Sequence, residues 1–135
     1  MADRSASDQL FADDGWPMDS REFSVLGDVF TDDAEFTIVI TGGDTIGPIS
    51  GRDAIVEFCS STVGEQTDQR RHVITNVRIG AQTDTDAEVT AILTLIVVAE
   101  GALTVKSSGL YRTQVVLDGD AWRFTNMHLT LDLPF

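Results

Sequence analysis

Cysteine and histidine are scarce in this sequence, and that scarcity excludes several kinds of site. The chain has one cysteine, Cys59, in 135 residues, so no disulfide can form within it. It has two histidines, too few for the usual zinc site, and neither a metal nor another cofactor is predicted. Cys59 follows an apolar stretch and has no base or cation beside it in sequence. We interpret it as a buried hydrophobic residue rather than a catalytic thiolate.

Positive charge and long apolar runs are also lacking. Nine lysines and arginines stand against 22 acidic residues, for a formal net charge of -13. Such a chain repels phosphate backbones, so we expect no nucleic-acid partner. The longest apolar segment, Ala91 to Ala99, is interrupted by Thr94, and about 18 uninterrupted apolar residues are needed to span a membrane. The N-terminus lacks the basic-then-apolar pattern of a signal peptide. We therefore expect a soluble cytoplasmic protein without membrane contact.

The length fits one domain over residues 1–135, with residues 1–14 expected to be partly disordered. The pattern predicts a helix over Ala6 to Asp13, a break at Gly15 and Pro17, and a second helix starting at Asp19 or Ser20 and carrying Phe30. A third helix is predicted after Gly51. Six strands are predicted, and the last four form an antiparallel meander: Glu35 to Thr41, Ile46 to Ile49, Arg71 to Ile79, Ala87 to Ala99, Leu103 to Leu117 and Ala121 to Leu131.

This order of elements predicts an α+β fold, a bent mixed β-sheet wrapped by about three N-terminal helices into a cone. Long strands that bend usually need a bulge or a glycine, and Gly109 is the candidate. A bent sheet closed by helices leaves a concave pocket at its open end, where small molecules bind.

Five short segments occur in the order typical of one superfamily. They are Asp19 to Phe23, Val29 to Phe36 (V-F-T-D-D-A-E-F), Gly51 to Phe58 (G-R-D-A-I-V-E-F), Arg71 to Asn76 (R-H-V-I-T-N) and Asp118 to Phe124 (D-G-D-A-W-R-F). They resemble motifs of the SnoaL-like, or nuclear transport factor 2-like, proteins and cover about residues 15 to 130. The resemblance implies the cone-shaped, cystatin-like α+β barrel of that superfamily.

Two of these segments resemble scytalone dehydratase and hexachlorocyclohexane dehydrochlorinase. Both enzymes have an aspartate opening the second helix and a histidine opening the strand after the third helix. The resemblance implies that His72 is the base that removes a proton and that Asp19 orients it. A neutral imidazole suits this chemistry, because it accepts a proton near neutral pH and a carboxylate stabilises the imidazolium that forms. Because Gly15 and Pro17 interrupt the predicted first helix, whether Asp19 reaches His72 stays open, and Asp19 has the alternative role of a helix cap.

Several further residues are candidates for lining the pocket and binding substrate: Trp16, Phe36, Phe58, Asn76 and His128. Asn76 has the alternative role of hydrogen-bonding backbone in the bent sheet. His128 points to the opposite face of the sheet if its neighbours Met127 and Leu129 face the core, and a bulge would reverse that.

Two functions remain open at the level of sequence. The first is a cofactor-independent lyase or cyclase/isomerase that acts on a small apolar oxygenated molecule, such as a polyketide, by proton abstraction at His72. The second is a non-catalytic small-molecule binding module, or the small subunit of a larger oxygenase-type complex, because dioxygenase small subunits share the fold. In either case the strongly apolar strands predict a homo-oligomer, a dimer or a trimer.

Overall fold

A computed structural model describes residues 1–135. Two α-helices and a short 3-10 helix pack against a six-stranded sheet. The helices are α1 (Arg4–Ser20), the 3-10 helix (Phe23–Val29) and α2 (Arg52–Gly64). The strands are β1 (Phe30–Ile40), β2 (Thr45–Ser50), β3 (Gln69–Gln82), β4 (Asp86–Ala99), β5 (Ala102–Asp118) and β6 (Ala121–Leu131).

The six strands form one mixed sheet in the order β2-β1-β6-β5-β4-β3. Strands β3 to β6 pair with their neighbours in antiparallel fashion, which confirms the predicted meander. Strand β1 pairs parallel with β6 and antiparallel with β2. The predicted α+β fold with a mixed sheet and three helices is therefore confirmed, and the sheet stays open instead of closing into a full barrel.

The long strands bend where their pairing is irregular. The register of β3 against β4 shifts between Thr75 and Arg78. Within that shift Asn76 has a φ of 56°, in the left-handed region that asparagine tolerates better than most residues. Gly109 of β5 marks a close approach of two strands, because a Cβ there would lie 2.7 Å from the carbonyl oxygen of Thr130. A side chain at that position would push β5 and β6 apart.

The prediction of a helix break at Gly15 and Pro17 is wrong. Helix α1 runs unbroken from Arg4 to Ser20, and residues 4–14 belong to it. Pro17 lies in the last turn of α1, where it removes one hydrogen bond of the ladder, the one that an N–H at this position would donate to the carbonyl of Asp13. The carbonyl of Pro17 still accepts a hydrogen bond from the N–H of Arg21, which ends the helix in the left-handed conformation.

Gly15 is a packing residue rather than a helix breaker. It is buried where α1 crosses β3, and a Cβ at this position would lie 3.4 Å from the Cβ of His72 and 3.5 Å from the Cδ1 of Ile74. The absence of a side chain lets the helix lie directly on the strand. Because α1 continues to Ser20, Asp19 lies in the last turn of α1. The prediction that Asp19 opens a second helix is therefore wrong.

The predicted second helix is reduced to the 3-10 helix, and Phe30 already begins β1. Arg52, from the G-R motif at the start of α2, fixes this junction. Its Nε and Nη2 donate to the carbonyl oxygen of Phe30 at 3.0 and 2.8 Å, and its Nη1 pairs with Asp32 at 2.8 Å. The arginine therefore ties the start of α2 to the start of the first strand.

The hydrophobic core lies between the helices and the concave face of the sheet. Phe11 of α1 contacts Phe124 of β6 with ring centroids 5.1 Å apart, and Phe30 lies 5.9 Å from Phe124. All three rings are almost fully buried. No helix of the protein is both long and apolar enough to cross a membrane.

Candidate active site

An apolar cavity opens beside the end of α1. Its volume is about 70 Å³, and 14 of its 19 lining residues are hydrophobic. The polar remainder consists of Asp14, Thr62, Gln66, Arg70 and His72. Small-molecule binding sites are typically lined in this way, by mostly hydrophobic residues with a few polar groups among them.

His72 lies in the wall of this cavity and forms a close pair with Asp19, which borders a neighbouring groove between α1 and β3. The Nδ1 atom of His72 lies 2.5 Å from one carboxylate oxygen of Asp19. The backbone N–H of His72 donates to the other carboxylate oxygen at 2.9 Å. Each side chain is only 14% exposed. The carboxylate of Asp19 therefore contacts both the ring and the backbone N–H of His72, and this double contact restricts rotation of the imidazole.

This arrangement determines which ring nitrogen of His72 is available. A neutral imidazole whose Nδ1 faces a carboxylate carries its proton there, and its Nε2 is then an acceptor. His72 Nε2 is not among the buried polar atoms that lack a partner; His128 Nδ1 is the only such atom in the chain. Nε2 is thus the nitrogen of His72 left for a ligand, and the side chain borders both the cavity and the groove between α1 and β3.

The predicted site residues divide between two spaces. Phe36 and Phe58 lie in the cavity wall, where they form an edge-to-face pair with ring centroids 6.4 Å apart. Trp16 and Asn76 lie outside the cavity, in the more open groove between α1 and β3 that also borders Asp19 and His72. Trp16 is 69% exposed there. The structure therefore does not bring Trp16 and Asn76 to the cavity.

His128 lies on the opposite face of the sheet. Its neighbours Met127 and Leu129 are buried and line the cavity, so the alternation of β6 turns His128 away from it. The bulge in β6 falls before Met127 and does not change this alternation. His128 borders a depression that contains no hydrophobic residue. The assignment of His128 to the pocket is corrected accordingly.

A second carboxyl group, that of Asp14, lies in the cavity. Burial raises its pKa from the ordinary value of 3.8 to about 6, the charge of His72 opposes this shift, and the charge of Asp19 adds to it. Burial also raises the pKa of Cys59 to about 12 and that of Tyr111 well above its usual range, and the charge of Asp14 adds to both shifts. Cys59 is therefore a neutral thiol, as expected from the sequence.

The model of the SnoaL-like domain matches residues 1–128. The chain belongs to the SnoaL-like family. No curated protein matches it in sequence.

Solved structures with the same fold as this SnoaL-like chain are numerous and distant in sequence. ActVI-ORFA of Streptomyces coelicolor is 19% identical with a TM-score of 0.79, covering 95% of this chain and 96% of its own. A protein of Novosphingobium aromaticivorans, provisionally assigned as a scytalone dehydratase, is 20% identical with a TM-score of 0.77, covering 96% and 83%. The β subunit of a provisionally assigned aromatic-ring-hydroxylating dioxygenase from the same organism is 16% identical with a TM-score of 0.82, covering 98% and 90%. At these identities the likeness shows the fold alone.

Asp14 and Tyr111 are among the cavity residues of this SnoaL-like domain that were missed from the sequence. Asp14 shares the buried stripe of α1 with Leu10, Phe11 and Met18, at helical spacing. An acidic residue on an apolar stripe is a signal that can be read from sequence. The predicted break concealed this signal, because the predicted first helix ended at Asp13, one residue before Asp14.

No group of three or more histidine, cysteine, aspartate or glutamate residues is placed to hold a metal ion. Arg70, the arginine of the cavity wall, pairs with Asp68 at 3.0 Å. What the arrangement offers chemically is therefore proton transfer by His72 and Asp14 in apolar surroundings.

Proposed function

We propose that this protein is a cofactor-independent lyase or isomerase that acts on a small, apolar, oxygenated molecule. His72 removes a proton from a carbon next to a carbonyl group, and Asp19 holds the imidazole in place and stabilises its charged form. The single observation that carries the proposal is that His72, in the wall of an apolar cavity, is held by Asp19 through Nδ1, which leaves Nε2 without a hydrogen-bond partner in the protein.

The chemistry of the cavity supports this class of reaction. An apolar wall favours a substrate with a large hydrocarbon part, and its few polar groups orient a carbonyl or a hydroxyl. Proton abstraction by a positioned imidazole contributes typically about 10²–10⁴-fold to a rate. A polyketide-like substrate fits this description, and the family membership and the fold shared with a provisionally assigned scytalone dehydratase point the same way.

The test uses a probe rather than the unknown substrate. An aryl β-hydroxy ketone is incubated with the protein in deuterium oxide, and exchange of the protons next to the carbonyl is followed by NMR. We expect exchange above background, and we expect His72→Gln to lower it by about 10²-fold or more. His128→Gln, the matched variant outside the cavity, should leave the rate unchanged. Equal rates for the wild type and His72→Gln would refute the proposed base.

A second candidate function is a non-catalytic subunit of a larger oxygenase. The observation that favours it is the fold shared with a dioxygenase β subunit over 98% of this chain. This candidate predicts stable co-purification with a larger partner subunit and no exchange of the probe. The enzyme proposal predicts the opposite, since its site is complete within one chain.

A further inference from the structure

Asp14 lies in the wall of the cavity that His72 also lines, where it could transfer a proton to or from the same ligand. It is 8% exposed and lines the same cavity as His72. It precedes Gly15, the residue that packs directly against His72, so α1 and β3 hold the two side chains near each other. Along the helix, Asp14 and Met18 face the cavity, while Gly15 and Asp19 face β3. The last turns of α1 thus deliver one carboxyl group to the imidazole and another to the cavity.

The surroundings of Asp14 favour its protonated form. The apolar wall raises its pKa to about 6, and among the charged groups around it only His72 opposes the shift. Tyr111 of β5 and Cys59 of α2 are its other titratable neighbours, and both are neutral near pH 7 because burial and the charge of Asp14 raise their pKa values. Arg70 of β3, also in the wall, pairs with Asp68. A carboxyl group with a pKa of about 6 is still protonated in part of the molecules near neutral pH, and that form can donate its proton to a substrate oxygen.

We propose that Asp14 is the proton donor to the leaving oxygen, so that the site eliminates water from β-hydroxy carbonyl compounds. This inference rests on the proposed function, in which His72 is the base. His72 Nε2 takes the proton from the carbon next to the carbonyl, and the electron pair of that C–H bond forms the new carbon–carbon double bond. The C–O bond to the hydroxyl group breaks, and the proton of Asp14 joins the departing oxygen to give water. Return of the proton from the imidazolium to Asp14 restores the site.

The test separates the donor from the base by changing the leaving group. One probe is the aryl β-hydroxy ketone, and the other carries para-nitrophenoxide in place of the hydroxyl group. Hydroxide is a poor leaving group and needs a proton, whereas para-nitrophenoxide leaves without one. We expect Asp14→Asn to lower water elimination by about 10²–10⁴-fold, with nitrophenoxide release and α-proton exchange within about threefold of the wild type. Asp13→Asn, the exposed neighbour on the same helix, should change none of the three rates.

The outcomes distinguish the inference from the proposed function. An Asp14→Asn variant that loses both eliminations equally, or neither, would show that Asp14 is no proton donor, while exchange dependent on His72 would still support the base. A wild-type protein that exchanges no α-proton from either probe overturns both assignments together. Asp14→Glu keeps a carboxyl group and should restore part of the water elimination, which a merely structural role of Asp14 does not predict.

Discussion

Replacing Asp14 by asparagine should change how the stability of the protein depends on pH. The pKa of Asp14 rises from 3.8 to about 6 because the side chain is buried. Between these two values the folded protein holds a proton that the unfolded chain has already released. The free energy of unfolding contributed by this group therefore falls as the pH rises through that interval. The gap between the two pKa values corresponds to about 3 kcal/mol, fully lost once the pH exceeds about 6.

An asparagine does not titrate, so its contribution to the free energy of unfolding does not change with pH. The stability of the variant relative to the wild type should therefore increase as the pH rises. Of the 3 kcal/mol that the wild type loses through Asp14, about 2 kcal/mol are lost between about pH 4.5 and 7.5. The assay is urea unfolding at several pH values for the wild type, Asp14→Asn and the matched Asp13→Asn. The midpoint of Asp14→Asn should move upward relative to the wild type by roughly 1 M urea across that range. Parallel stability curves for the wild type and Asp14→Asn would refute the raised pKa, and with it the protonated donor.

Three further predictions concern the pair and its supports. Asp19→Asn should lower α-proton exchange of the ketone probe by about 10²-fold or more while the fold persists, because the amide neither fixes the tautomer of His72 nor stabilises its charge; unchanged exchange would contradict this. Gly15→Leu should cost about 1–3 kcal/mol in urea unfolding and abolish exchange, since the added side chain pushes α1 away from β3. Arg52→Ala should cost about 2 kcal/mol, because a charged donor to a β1 carbonyl is lost, whereas removal of its 91% exposed partner in Asp32→Ala should cost under about 1 kcal/mol in the same assay.

The last four strands and their antiparallel meander could be predicted closely because their signals are local. The alternation of apolar and polar residues along β4, β5 and β6 repeats every two residues, and short turns between them leave few other pairings. The same alternation implied that His128 faces away from the core once Met127 faces it. Placing His128 in the pocket needed a bulge beyond Met127, and the structure has its bulge elsewhere.

The first helix could not be predicted, because its continuity depends on tertiary contacts. Propensity alone favours a break at Gly15 and Pro17. In the folded protein both residues are buried, and packing against β3 and the 3-10 helix compensates for what the backbone loses. Because the break was predicted there, Asp14 was left outside the first helix and Asp19 was assigned to the start of a second one.

By itself, the sequence determined the α+β class, the meander and the superfamily, through short-range patterns and five ordered motifs. It also pointed to His72. Only the tertiary structure decided that Asp19 reaches His72, across 53 positions of the chain, and that Asp14 lines the same cavity. The physical reason is that these contacts depend on how closely α1 approaches β3. That distance is set by the missing side chain of Gly15, a packing effect that no local pattern encodes.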